Sequence, residues 1–421
     1  MTAPPLHRPQ APARRPARGT PPGGTWRLRP RGALLVASLT LRRRAASPRW
    51  RWGLVLWAVL LLALDLLFLL AARPLGGMGG AADALRRETG SAAFEMAVLV
   101  LAVAVLVVLP PLAAGQIQGD RETGRLAVLR ASLLSPAEIV AGHALATWAA
   151  AGALLVLALP SLLPGAVLAG HPPSRILAVT AVLALVSLAI ALLGAGLSVR
   201  AARRSGAVVR TAGAVAILVL GLPILWSATL PLLTEEQEVL ASRPIAADQI
   251  PVVAEDPGVE HPVLIMETGF GAPMILVPMG WFETSGPLGF DGSGRTAAQA
   301  ERWCVFSAEP RPVPRSDLLL PLLAVHPLVA LAEVSPPGVG VLSALRSGLD
   351  GVAHPAEPAR FTACSPGDVG HPEAVPSRAY SPAWPAGLGV WLLAGGGAAA
   401  LAVRRLSVPT RGDTAERGAL R

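Results

Sequence analysis

Residues 49–72 read RWRWGLVLWAVLLLALDLLFLLAA, an apolar run from Gly53 to Ala72 broken only by Asp65 and preceded by two Arg-Trp pairs. A helix of about 20 apolar residues crosses the roughly 30 Å hydrocarbon layer of a bilayer. Tryptophan suits the membrane interface, and Trp50 and Trp52 fall where the run begins. The reading of this stretch decides the class of the chain, because further runs of the same kind follow. They extend from Phe94 to about Gly115, Ile139 to Leu163, Ile176 to Val199, Ala212 to Leu233, and Pro385 to Val403. Pro164-Gly165 is read as the break that ends the third.

Composition points the same way. Of 421 residues, 52% are hydrophobic and 15% are charged, against about 25% charged in ordinary soluble domains. The mean hydropathy is +0.53. The net charge of +9 would suggest nucleic acid as a partner for a soluble protein. Here many arginines flank apolar spans, so the charge is read as topology and membrane lipid replaces nucleic acid as the expected partner. Lysine is absent, so every residue of the basic count is arginine.

Arginines near span ends favour one side: the tail before the first span, the loop with Arg121, Arg125 and Arg130, the loop with Arg200, Arg203, Arg204 and Arg210, and the end after Arg404-Arg405. The positive-inside rule places this side in the cytoplasm. Both termini then lie inside, which requires an even number of spans. Leu318 to Ala332 is apolar but short, and it is interrupted by Pro321, His326 and Pro327; it reads as interfacial or re-entrant rather than a span. The expectation is an all-α polytopic membrane protein of about six transmembrane helices, with a large extracytoplasmic segment between the fifth and sixth. Residues 1–31 form a Pro- and Arg-rich disordered tail. Residues 32–233 hold an interfacial helix at Ala33 to Leu41 and the first five spans. Residues 234–384 form the outer segment, including the apolar run at 318–332. Residues 385–421 form the last span and a cytoplasmic tail.

The stretch from Gly115 to His143, GQIQGDRETGRLAVLRASLLSPAEIVAGH, carries the functional signal. Asp120 reads as an N-cap with Glu122 in the first turn and Arg130 in the last, an order that complements the helix dipole. Leu126, Leu129 and Leu133 recur at helical spacing. Ser135-Pro136-Ala137-Glu138 is a capping box with proline at the first helical position, and it marks where the third span begins. Spacing alone leaves two readings: a capped hairpin, or an amphipathic helix that seats its leucines in a partner's groove.

This run resembles the cytoplasmic loop of ABC-2-type exporter permeases, in which an acidic/basic pair precedes Glu-x-Gly, a Leu-rich helix and Leu-Ser-Pro. The matching positions are Asp120, Arg121, Glu122, Gly124, Leu126, Leu129, Ser135, Pro136 and Glu138. The interfacial first helix, the six spans and the outer apolar run before the last helix are also similar to that family. The resemblance implies a transmembrane subunit of a bacterial inner-membrane exporter, paired as a homodimer or pseudo-symmetric heterodimer of permeases. A separate ABC ATPase would bind the ATP and dock on the loop. The segment 234–384 departs from the family by its length. It leaves open a non-transport protein that presents an extracytoplasmic binding or assembly module.

Catalytic chemistry of the chain's own is not expected. A P-loop requires lysine, two cysteines do not build a Cys-based zinc cluster, and no zinc-protease or serine-hydrolase motif occurs. His261, His326, His354 and His371 are not spaced as chelating pairs and are read as scattered surface residues, with no metal or other cofactor expected. Cys304 and Cys364 share the outer segment, where a disulfide between them would persist. Asp65 lies halfway along the first span. A carboxylate at that depth lines a substrate route or hydrogen-bonds a neighbouring helix.

Overall fold

The computed structural model describes residues 26–72, 80–125, 129, 134–201, 203–246, 264–267, 273–278, 302–353 and 382–407. The chain opens with α1 (Pro30–Ala46), α2 (Pro48–Ala72), α3 (Gly80–Glu122), α4 (Pro136–Ala169) and α5 (Pro173–Ser198). Four of these begin on proline, whose missing N–H costs nothing in a first turn. Then α6 (Arg204–Ala216) runs through a π turn at Ile217–Gly221 into α7 (Leu222–Thr229) and a 3-10 turn at Leu230–Leu232. The chain is a helical membrane protein: α2, α3, α4, α5, the run from α6 to Leu232, and a final helix α11 (Trp384–Ser407) are each long and apolar enough to cross a bilayer.

The second span is longer than its apolar run suggests, and this corrects the reading of Asp120. The helix does not restart there; α3 continues through Gly115 and Gly119 to Glu122 and stops at Gly124, which adopts φ +72°. Glycine enters the left-handed region without a Cβ penalty, so it ends helices readily. Asp120 and Glu122 therefore sit in a last turn and not a first one. The third span is corrected in the same sense: Pro160 and Pro164 lie inside α4, which ends only at Gly170, again at φ +72°. Gly165 serves packing instead of a break, since a Cβ there would stand 2.7 Å from the backbone nitrogen of Phe94. Gly90 faces it across the crossing, where a Cβ would come 2.6 Å from that of Leu168. Small residues let membrane helices approach this closely.

The centre of the bundle is α5, which packs on α3, α4, α6 and α11. Gly194 lies against Ala113 of α3 and Gly196 against Ala398 of α11, whereas Gly206 and Gly213 face open space. The main core joins Phe94, Leu101, Leu162, Leu183, Ile190 and Trp391. By contrast α2 is thinly covered: Leu61, 2% exposed, is its one buried side chain among those described.

After the fifth span the chain leaves the bundle as β1 (Thr234–Ala246) and returns along β4 (Arg302–Pro314), antiparallel from Thr234↔Pro314 to Ala246↔Arg302. With β2 (Leu264–Glu267) and β3 (Pro273–Pro278) these form a four-stranded sheet in the order β1-β4-β3-β2. The two arms close where Arg315 N–H donates to Leu233 O at 2.7 Å. Next come α8 (Ser316–Ala324) and α9 (Pro327–Val334), bent by 97° relative to one another. At nine and eight residues each is about 12–14 Å long, too short to cross the hydrocarbon alone. The amphipathic helix α10 (Val341–Ala353) completes this unit.

Candidate functional site

The end of α3 and the start of α4 hold the candidate site. Asp120 is 8% exposed. Its Oδ1 lies 3.6 Å from Arg43 Nη1 and 4.0 Å from Arg125 Nη1, and its Oδ2 lies 3.4 Å from His143 Nε2. On the other edge of that imidazole, Nδ1 stands 3.2 Å from Gln116 Oε1. Gln116 in turn donates to Leu112 O at 3.2 Å and contacts Thr147 Oγ1. Arg44 donates to the same Leu112 carbonyl at 3.1 Å, and burial lowers its guanidinium to about 10. A chain of polar groups thus ties α1 to α3 and α4.

Glu138 performs two tasks. It completes the capping box, accepting from Ser135 N–H at 2.7 Å while Ser135 Oγ accepts from Glu138 N–H at 3.2 Å. Its other oxygen accepts from Arg29 N–H at 3.0 Å, at the start of α1. Ser135 Oγ also donates to Arg27 O. Helix contact reinforces the join, because a Cβ at Gly142 would stand 2.5 Å from that of Val36. The predicted interfacial helix is therefore packed along the first turns of α4. Glu122 caps a different helix: its Oε1 accepts from Arg204 N–H at 3.0 Å, opening α6.

The residues singled out in the sequence fall into two sets. Asp120, Ser135, Pro136 and Glu138 turn inward or stand at a helix start within the bundle. Arg121, Glu122, Thr123, Gly124 and Arg125 are exposed. Leu129, expected on a partner-facing stripe, packs against the core of Ile117, Ile139 and Val140; Leu126, Arg130 and Leu133 lie outside the described residues. Asp65 belongs to neither set. It is half-buried on α2 and makes no hydrogen bond or ion pair among the described residues. Cys304 occupies β4 with Pro244 and Val277 as its Cα partners. Its expected bond to Cys364 lies outside the described residues, as do His261, His354 and His371.

His326 corrects the view of it as a surface histidine. It caps α9, its Nδ1 accepting from Leu328 N–H at 3.1 Å. The proton is then on Nε2, with the backbone of Val219 nearby. Pro223, four residues beyond Val219, has no N–H to donate back, and a π turn spans Ile217–Gly221 there. Sequence reasoning also passed over Glu95, 2% exposed near the opposite end of α3. The available signal was an acid beside Phe94 at the edge of an apolar run, where a charge demands a partner.

Among the described residues no group of three His, Cys, Asp or Glu side chains could hold a metal ion. What the arrangement at 116–143 offers is mechanical: an exposed turn backed by charges that grip three helices. Compared with protein-family models, curated proteins and solved structures, the chain finds no match.

Proposed function

We propose that the chain is the membrane-spanning subunit of an ABC-2-type exporter, moved by a separate ATPase that docks on the turn at Arg121–Arg125. The observation that carries this reading is the backing of that exposed turn. Asp120 faces α1 and α4, and Glu122 holds the start of α6. A push on the turn therefore reaches several spans at once. The chain is taken to hydrolyse no nucleotide itself, since it has no lysine for a P-loop. In this reading the arginine-rich ends of the spans face the cytoplasm, both termini included. Two copies pair, and the thinly covered α2, whose Asp65 has no partner among the described residues, supports such pairing.

Affinity purification of the tagged chain from its native membrane, followed by mass spectrometry, tests the proposal. A stoichiometric ATPase that is lost on Arg121→Glu/Arg125→Glu supports it. Reproducible absence of an ATPase from intact protein overturns it.

The long β1–β4 stalk favours a second reading, in which the sheet is a binding or assembly module. Because Leu233 and Arg315 adjoin, residues 236–312 can be replaced by a short turn. Function that survives this excision but not loss of the loop at 120–138 excludes the module reading.

A further inference from the structure

The first turn of α10 has no side-chain cap of its own, because Gly340 precedes Val341. Glu95 of α3 supplies one. Its Oε2 accepts from Leu342 N–H at 2.8 Å and from Ser343 N–H at 3.2 Å, and Ser343 Oγ donates to Oε1. The approach has no slack: a Cβ on Gly340 would collide with the Glu95 carboxylate, and one on Gly338 with Ser91. Elsewhere the unit α8–α10 is moored to the bundle by other means. Glu333 on α9 caps α11 through Ala383 N–H at 3.2 Å and Trp384 N–H at 2.7 Å. Trp391 of α11 donates to Val325 O at 2.7 Å. Arg175 of α5 donates to Val334 O at 3.2 Å.

We propose that Glu95 is a latch that closes the α10 end of this unit onto α3, and that the cleft between α3 and α10 opens by its release while α8 and α9 stay moored to α11. Two features make the contact a switchable one. The bonds end on one side chain, so a single displacement of α3 breaks them together. The separated partners, a carboxylate and free backbone N–H groups, are both costly in an apolar medium. Opening is therefore all-or-none and admits water between α3 and α10. The proposal is independent of the ATPase reading, since it concerns which helices part and not what drives them.

Hydrogen exchange of the full chain in lipid nanodiscs tests it, comparing wild type, Glu95→Ala and Gly340→Ala. The second variant keeps the glutamate and sets a methyl group against its carboxylate, so that either the Glu95 side chain turns away or α10 moves off it, and the bonds part in both cases. Both are expected to speed exchange across 335–353 by about tenfold or more, with α5 and α11 unchanged. Exchange across 335–353 that matches wild type in Gly340→Ala overturns the latch, whatever Glu95→Ala does. Loosening of α5 along with 335–353 in Gly340→Ala overturns it as well, because the contact would then be part of the core.

Discussion

The carboxylate of Glu138 holds the backbone N–H of Arg29 at 3.0 Å while it completes the cap of its own helix. One side chain thus fixes both where α4 begins and where α1 lies against it. A buried donor left without its acceptor costs about 1–3 kcal/mol. Glu138→Ala is expected to lower thermal stability in detergent and to make 26–46 sensitive to limited proteolysis, with Glu138→Gln milder. Unchanged proteolysis of Glu138→Ala would show that helix packing alone holds α1.

The exposed turn and its buried backing respond differently to mutation. Arg121→Glu is expected to weaken ATPase capture severalfold with no loss of thermal stability. Glu138→Ala is expected to lower stability, with capture reduced only as far as α1 is disturbed. If Arg121→Glu leaves capture intact in a stable protein, docking lies elsewhere.

His326 caps α9, its Nδ1 accepting from Leu328 N–H at 3.1 Å. Asparagine at 326 retains a cap for α9. We expect His326→Ala to cost about 1 kcal/mol through loss of the cap, and His326→Asn to cost less. Unfolding of the two variants in mild denaturant checks the order; equal losses would mean that the cap contributes nothing.

His171 lies between α4 and α5 with its ring edge-on to Phe94, centroids 5.5 Å apart. Burial chiefly lowers its pKa; Glu95 acts in the opposite sense and Arg175 adds to the lowering. In the unfolded chain the group takes up a proton near its ordinary value of about 6.5, while the folded form resists it. Unfolding is therefore favoured as pH falls through that value, and the stability is intact above it. Melting at pH 7.5, 6.5 and 5.5 should show a decline that is shallower in His171→Leu. Parallel declines in the two proteins would remove His171 from the account.

Much of the membrane body was legible in the sequence. The run 49–72 sets α2, and Pro136 marks the start of α4 because proline tolerates a first turn. The capping box read at Ser135 and Glu138 is present in the structure. The last turn of α3 was misread because Asp120 followed by Glu122 suits a helix start as well as a carboxylate used elsewhere. Only the left-handed backbone of Gly124 distinguishes them. Pro164-Gly165 was misread for a similar reason: a proline in a long membrane helix is tolerated when neighbours pack around it, and Phe94 of α3 does so.

Hydropathy and helix starts are properties of a short window, so the sequence by itself determined that this chain is a helical membrane protein and roughly where the six membrane-length helices among the described residues lie. The tertiary structure alone decided what the polar side chains do. Glu95 meets Leu342 across 247 positions, Glu138 meets Arg29 across 109, and Glu122 meets Arg204 across 82. In each case the partner is a backbone N–H at or beside the start of another helix. Such a group has no signature of its own in sequence, because every helix start exposes the same donors; which carboxylate reaches which start is settled only when the helices pack.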